Sequence, residues 1–323
     1  MPINATTLRQ AGEKLHQAER ILLVSHIRPD GDALGSLLGF GWALLNAGKQ
    51  VQMVINDHLS SRFRFLPAYE EIRRTPEGKF DFIVVLDCSD LQRTGDALSG
   101  LRPPDLNIDH HITNLDFAVY NLVDTAAVST TEIVYELLQA WELDISHDAA
   151  TALLTGLVTD SLGFRTSNMT PKALETAAQL VRLGCDLPFI YQQTLVNHTF
   201  EALKYWGAGL SRLQREDQLA WTALTLEARG QAEYPGRDDA DLVNLLNAIE
   251  NIAVAVIFIE QTGGKVKISW RAQPGYDVSQ LAVQFGGGGH PAAAGAEIAG
   301  SLAAVQTAVL TATRTLFQPE RVA

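Results

Sequence analysis

The sequence predicts an α/β protein: an N-terminal, mostly parallel sheet with helices on both faces, joined by a helical connector to a smaller C-terminal α/β domain. Three observations carry this expectation. Short β-rich runs alternate with helical ones along the first half, the pattern of parallel strands joined by helical crossovers. A chain of 323 residues exceeds the roughly 100–200 residues of an ordinary domain. A helical stretch then separates two groups of strands, giving domains at 1–188 and 208–323 with a connector at 189–207.

In order, RILLVSH is an apolar strand ending at His26, and DALGSLLGFGWALLNAG is a helix with apolar residues at helical spacing, stopped by Gly48. QVQMVIN, FDFIVVLDCSD and DLNIDHH are further strands, while STTEIVYELLQAW and DAATALLTGLVTD are helices. The segment from Pro171 to about Trp206 is mostly helical, broken near Gly184 and Pro188. In the second part LAWTALTL, IAVAVIFIE and KVKISWR are strands, and DLVNLLNAIE and DVSQLAVQF are helices.

Composition removes several classes of function. Hydrophobic residues make up 46% of the chain and charged residues 19%, a globular balance, and no apolar run reaches the roughly 18 residues of a membrane span. The opening MPINATTLRQAGEKLHQ lacks the basic-then-apolar pattern of a signal peptide, so the expectation is a soluble cytoplasmic protein. Cys88 and Cys185 have no metal-like spacing and are expected as buried free thiols. A net charge of −12 argues against coating a long duplex, which requires an excess of Lys and Arg. A small anionic substrate met by cations remains open.

The acids fall where chemistry is expected. His26, Asp30 and Asp32 follow the first strand, Asp87 ends IVVLD, and Asp109, His110 and His111 end LNIDHH. In a parallel sheet these carboxyl ends share one rim, where ligands of open α/β sheets bind. Taken singly, Asp-Gly-Asp is a turn and an Asp after a strand is a helix cap; recurrence at one topological place makes them a site. Bare carboxylates about 4 Å apart repel by about 1 kcal/mol per pair in water and about 4 at an effective dielectric of 20, so the cluster calls for cations. Carboxylate and imidazole without thiolate suit Mn²⁺ or a similar ion. Two such ions roughly 3.5–4 Å apart acidify a shared water to a pKa near 7 and grip a phosphoester.

Together, H-x-x-P-D-G-D-A-L-G-S at His26 to Ser36, the strand ending at Asp87, Asp109-His110-His111 and T-G-L-V-T-D ending at Asp160 resemble the DHH phosphoesterase superfamily. The resemblance implies two divalent metals, Mn²⁺ first and Mg²⁺ or Co²⁺ as alternatives. It assigns His26 and Asp30 to one ion, Asp32, His110 and Asp160 to the other, and Asp87 to both. It makes Asp109 the carboxylate that orients a ligand histidine and His111 a contact to the scissile phosphate.

The GGGGHPAAAG stretch resembles the substrate-binding motif of the DHH-associated C-terminal domain, with Gly286, Gly287, Gly288, Gly289 and His290 as candidate contacts. A glycine run is otherwise a flexible loop, but bare backbone lets amides approach phosphate oxygens. Ser269 and Arg271 match the family's Ser-x-Arg strand, and arginine suits bidentate phosphate recognition. The two-domain length resembles the bacterial nanoRNase/pAp phosphatase branch; RecJ-type exonucleases carry extra domains, and type II pyrophosphatases lack GGGGH. Departures occur where the family pattern Arg-x-Ile-x-Gly reads Asn247-Ala-Ile249-Glu250-Asn251 and where Ala272 replaces a serine.

The implied activity is hydrolysis of pAp at its 3′-phosphate, giving AMP, and of RNA oligomers a few nucleotides long. The alternatives are a phosphodiesterase for dinucleotides such as pApA or c-di-AMP, and a non-catalytic nucleotide sensor, which should have lost a ligand. Homodimerisation is expected only because relatives often dimerise.

Overall fold

The computed structural model describes residues 3–317; Met1, Pro2 and residues 318–323, which close the outer limits of the expected domains, lie outside the described residues. The chain divides into two units, Met1–Asn197 and His198–Ala323.

The first unit is built on five strands, β1 (Arg20–Val24), β2 (Gln50–Val54), β3 (Phe82–Leu86), β4 (Leu106–Asp109) and β5 (Tyr120–Val123), ordered β2-β1-β3-β4-β5. Every pairing is parallel. β3 is buried at all five positions, which is why its sequence reads as an unbroken apolar run rather than an alternating one. Around the sheet run α1 (Ala5–Gln17), α2 (Gly31–Asn46), α3 (Thr130–Ala140), α4 (His147–Asp160), α5 (Pro171–Arg182) and α6 (Leu187–Tyr191). One face of β1 packs Ile21 and Leu23 into the main core with α2, α3 and α4. Its other face packs Leu22 and Val24 with Ile83 and Ala97 against Leu98 and Leu101, so short turns after β3 serve there in place of a long helix.

α2 packs with its backbone directly against α4, and the cause is a row of glycines one turn apart. A Cβ on Gly31 would collide with the Thr159 side chain, one on Gly35 would sit 2.6 Å from the Ala152 carbonyl oxygen, and one on Gly39 would meet Leu153 at 2.6 Å. The row i, i+4, i+8 lies on one helix face and lets the backbones touch. Gly31 is therefore required by close approach: it is already helical and has no positive φ among the residues that do. The helix then buries Leu34, Leu37, Leu38, Phe40 and Leu44, each stabilising by about 1.5–3 kcal/mol.

The second unit is a six-stranded sheet ordered β10-β11-β9-β8-β7-β6. Its strands are β6 (Gln214–Glu216), β7 (Leu219–Leu224), β8 (Val254–Gln261), β9 (Lys265–Ala272), β10 (Gly288–His290) and β11 (Ala293–Ala299). Only β7 and β8 pair in parallel; the remaining pairs are antiparallel. With it go α7 (Phe200–Leu210), α8 (Leu226–Ala232), α9 (Leu242–Leu246), α10 (Ser279–Gln284) and α11 (Leu302–Thr313). Trp270 of β9 is fully buried, and its indole N–H donates to Thr313 Oγ1 of α11 at 3.2 Å, giving the buried ring the polar partner it needs. The helix expected over DLVNLLNAIE stops at Leu246, and Asn251 has a left-handed backbone (φ 61°). Both cysteines are buried free thiols, and no helix among the described residues is long and apolar enough to cross a membrane.

Candidate metal centre

The rim at the carboxyl ends of β1, β3 and β4 is fixed by hydrogen bonds between neighbouring strand ends. Ser25 Oγ donates to the Leu86 carbonyl at 2.9 Å, fixing His26 beside Asp87. The Asp87 amide donates to Ile108 O at 2.9 Å, which sets Asp87 beside Asp109. Asp87 holds φ at 58°, a left-handed conformation unusual for a non-glycine residue and of the kind that accumulates at functional sites.

Among the described residues, three groups of side chains could hold a metal ion: His26, Asp30 and Asp87; Asp32, His110 and Asp160; and Asp87, His110 and His111. The first two coincide with the sets implied by the sequence resemblance, and Asp87 lies against both. His26 Nε2 is 3.3 Å from Asp87 Oδ2 and 3.9 Å from Asp30 Oδ1. His110 Nε2 is 3.7 Å from Asp160 Oδ2, 3.8 Å from Asp87 Oδ1 and 3.9 Å from Asp32 Oδ2.

The donor set fits a cation. His26 Nδ1 faces the Ile27 carbonyl at 2.9 Å, so that nitrogen carries a proton and donates it, and in the neutral ring Nε2 is left with the lone pair. Nε2 is buried with no hydrogen-bond partner and points at two carboxylates, an arrangement that a proton or a metal ion must bridge. Asp160, the last residue of α4, places its carboxylate at the negative end of the helix dipole, where a cation is favoured.

The electrostatics agree. Burial, followed by the charge of Asp87, pushes Asp32 up to about 7. Burial and the carboxylates of Asp32, Asp30 and Asp87 raise Asp160 well above the ordinary range. Burial also opposes ionisation of Asp87, but the close approach of His26 and the charges of His110 and His111 outweigh it and hold Asp87 low. For His26 and His110 burial works against the charged ring, and neighbouring aspartates overcome it, Asp87 for His26 and Asp32 foremost for His110, so both are raised. Too many acids share too little water, and the cluster retains protons unless cations replace them.

Several residues of this site carried no signal in the motif reading. The α3 N-terminus grips Asp32: Thr130 N donates to Oδ2 at 2.7 Å and Thr131 N to Oδ1 at 2.9 Å. Thr130 Oγ1 donates to Asp87 Oδ1 at 2.9 Å. The S-T-T-E stretch marks a capped helix start, with Ser129 Oγ accepting from Glu132 N and Glu132 Oε2 accepting from Val128 N. That this start follows β5 onto the same rim could have been read from the sequence. Asn114, three residues past His111, donates to Asp109 Oδ2 at 2.5 Å, to Asn107 Oδ1 at 2.8 Å and to Cys88 O at 3.1 Å.

Asp109 engages the two neighbouring histidines differently. Its Oδ1 accepts from His111 Nδ1 at 2.7 Å and from the His110 amide at 2.9 Å, so it orients the His111 ring and touches the candidate ligand His110 only through backbone. The Ala127 backbone, with the neighbouring aspartates, favours the charged form of the His110 ring. Asp30 does two things at once: Oδ1 caps α2 by accepting from Asp32 N and Ala33 N, while its carboxylate stays in reach of His26.

In the second unit, Ser269 and Arg271 share one face of β9, opposite the buried face of Ile268 and Trp270. Arg271 Nε donates to Asn244 Oδ1 at 3.2 Å and Nη1 to the Trp270 carbonyl at 3.0 Å. The glycine run is an edge strand: Gly288 to His290 pair with Gly295 to Ala293. Gly286 turns the chain out of α10 with φ at 73°. A Cβ on Gly287 would strike the Gly295 carbonyl, and one on Gly289 would lie 2.5 Å from the Ala293 carbonyl oxygen. Gly288 and His290 are exposed, so this run presents backbone and an imidazole to solvent at the sheet edge.

Comparison with known proteins accords with this geometry. The model of the DHH family, N-terminal domain, matches residues 20–157, covering every candidate ligand except Asp160, and the DHHA1 domain matches residues 223–316, covering Ser269, Arg271 and the glycine run. The chain is 34% identical over 301 residues to the bifunctional oligoribonuclease and PAP phosphatase NrnA of Thermus thermophilus, spanning 91% of this chain and 89% of that one. It is 27% identical to the protein of the same name from Bacillus subtilis, over 87% of this chain and 90% of that one. Among solved structures it is similar to an exopolyphosphatase-related protein from Bacteroides fragilis, with a TM-score of 0.90, 26% identity and coverage of 98% and 99% of the two chains. A relative this similar along nearly its whole length, with both domain matches in order, places the chain by descent as well as by site: it belongs to the DHH family of phosphoesterases, with a DHHA1 domain following the DHH domain.

Proposed function

We propose that this protein is a phosphoesterase that removes the 3′-phosphate of pAp and degrades RNA oligomers a few nucleotides long, using two divalent ions, Mn²⁺ foremost. The observation that carries the reading is the pair of His-Asp groups sharing Asp87, with His26 Nε2 buried and unpartnered between carboxylates. The names of the relatives support the choice of substrates.

His26, Asp30 and Asp87 would hold one ion, and Asp32, His110, Asp160 and Asp87 the other. Bound there, divalent ions supply an acidified water and neutralise charge on a phosphoryl group. The protein's own contribution is position. Asp87 is held by Thr130, and Asp32 by two amides of α3. Asn114 holds Asp109 and Asp109 orients the His111 ring, which in this reading lies against the phosphoryl oxygens. Residues 1–188 form the catalytic domain in this reading, 189–207 the connector and 208–323 the substrate-binding domain. There Ser269, Arg271, His290 and the glycine amides recognise phosphate or base.

Product analysis tests the proposal. The substrates are pAp, RNAs of two to five residues, a longer RNA, pApA and pyrophosphate, each with Mn²⁺, with Mg²⁺ and with a chelator. AMP from pAp and mononucleotides from short RNAs are expected, and nothing with chelator. Fast cleavage of pApA beside indifference to pAp and RNA would move the assignment to a dinucleotide phosphodiesterase. Near-normal turnover by a metal-loaded Asp87→Ala protein would remove the shared-carboxylate assignment.

A further inference from the structure

We infer that Arg93 is a phosphate-binding residue of the first unit, its guanidinium receiving non-bridging oxygens of the phosphate under attack beside His111. The inference rests on the phosphoesterase reading above and adds to it a cation that the family motifs did not single out.

Arg93 lies in the 3-10 turn Leu91–Thr94 that follows Asp87. Its Nη1 is 3.5 Å from His111 Nε2, the nitrogen left after Nδ1 is engaged by Asp109. The side chain is half-buried, so it is reachable from solvent while anchored by its surroundings. Among the described residues no carboxylate is paired with it. The acid nearest in sequence, Asp90, has its Oδ1 occupied by the amides of Gln92 and Arg93 at 2.8 and 3.2 Å and its Oδ2 accepting from Ser89 Oγ at 3.4 Å. Beyond the Nη1 contact with His111, no hydrogen bond or ion pair of this guanidinium occurs among the described residues, so its other donors are available for an anion.

The backbone holds it in place from two sides. Asp90 caps the turn at its start, and the Arg93 carbonyl accepts from Ile27 N at 2.7 Å, linking the turn to the residue after His26. Gly95, with φ at 59°, closes the turn where a Cβ would lie 2.8 Å from both Ile27 Cγ2 and Asn56 Oδ1. The first and second aspartate motifs thus clamp the arginine against the rim. Its charge is felt at His26, whose protonation it disfavours.

The chemistry selects phosphate over other anions. A planar guanidinium matches two phosphoryl oxygens at once, and a cation fixed where negative charge accumulates stabilises the transition state more than the ground state.

The experiment compares wild type, Arg93→Gln and Arg93→Lys, each loaded with Mn²⁺. Three readouts are taken: Mn²⁺ stoichiometry and affinity by calorimetry, affinity for inorganic phosphate by calorimetry, and steady-state hydrolysis of pAp. Arg93→Gln should bind Mn²⁺ within about threefold of wild type, bind phosphate at least tenfold more weakly, and lose on the order of 10²-fold or more in kcat/KM; Arg93→Lys should recover part of both losses. Unchanged phosphate affinity in Arg93→Gln overturns the inference, and so does loss of Mn²⁺ binding, which would make the arginine a structural element. If wild type hydrolyses none of the substrates, the phosphoesterase reading fails, while the phosphate-binding comparison still decides the assignment of Arg93.

Discussion

Asp32 shows how much of this site is decided one residue at a time. It is 1% exposed and sits in the first turn of α2 with its carboxylate on the N-terminus of α3, where two amides and the positive end of the dipole favour its charge. Burial and Asp87 nevertheless leave it near 7 when no cation is bound. The consequence for stability has a definite sign. An aspartate in the unfolded chain gives up its proton near pH 4, so between about pH 4 and 7 the metal-free folded protein binds more protons than the unfolded chain, and stability falls as pH rises. The raised His26 and His110 act the same way above their ordinary range, and the depressed Asp87 contributes the opposite slope only at lower pH. Chelator-treated protein should therefore show a melting temperature that declines from pH 5 to 8. Mn²⁺, whose ligands must be deprotonated, should reverse that decline; a melting temperature that climbs with pH under chelator would contradict the assignment. Thr130 gives a second residue-level prediction. Thr130→Val removes the hydroxyl that donates to Asp87 and should cost about 10–100-fold in metal affinity or turnover. Thr130→Ser should stay near wild type, and equal losses in the two variants would show that the methyl group and not the hydroxyl matters. Asp32 was legible from P-D-G-D, whereas the role of Thr130 is written in no motif: it reaches Asp87 only because the chain after β5 returns to the same rim.

At the scale of elements, the strands were legible and the helix contact that aligns them was not. IVVLD and LNIDHH are buried runs ending in acids, and the parallel order of the sheet puts those ends together, which is why the rim could be expected from strand-end chemistry alone. Asp160 ends a helix, so nothing in the strand pattern reaches it, and only the family resemblance named it. What brings it to Asp32 is the Gly31, Gly35, Gly39 row on α2, a four-residue repeat that the chain displays but that gains meaning only when α4 is known to lie against it. Gly35→Ala should test this directly. Its methyl group would press on Ala152 O at 2.6 Å and Gly156 N at 2.9 Å, backbone atoms that cannot rotate aside, so about 1–3 kcal/mol of stability should be lost in urea unfolding. Because the same shift separates Asp32 from Asp160, Mn²⁺ affinity should drop with it; a destabilised protein with unaltered Mn²⁺ affinity would show that the row serves packing alone. The glycine run in the second unit follows the same logic in a strand. It reads as a loop in sequence because glycine has low β propensity, and it forms β10 because Gly287 and Gly289 lie too close to β11 for any side chain.

On the scale of the whole molecule, a cation-loaded site would attract phosphate while the net charge of the chain repels it. The chain carries a net charge of −12, which two divalent ions at the rim would offset only in part, so an oligonucleotide whose scissile phosphate is bound extends its remaining phosphates toward a net negative protein. Each added nucleotide then contributes repulsion once it passes the residues that bind it, opposite to a basic nucleic-acid binder, whose affinity grows with the number of phosphates contacted and falls with salt. Short substrates are favoured by this distribution without any wall at the end of the site. The prediction is a pair of slopes. At about 10 mM ionic strength, where screening extends to roughly 30 Å, kcat/KM should fall as RNA lengthens from dinucleotide to a 24-mer; near 0.15 M, where it extends to about 8 Å, the fall should shallow, with long RNAs gaining from added salt. Measured on one enzyme preparation with saturating Mn²⁺, the length series separates two causes of selectivity. A steric limit gives a sharp drop at one length that salt does not move, whereas field repulsion gives a gradual decline that salt relieves. A rate that rises with length at low salt would place a continuous cationic path on the surface, against the expectation from the net charge of this chain.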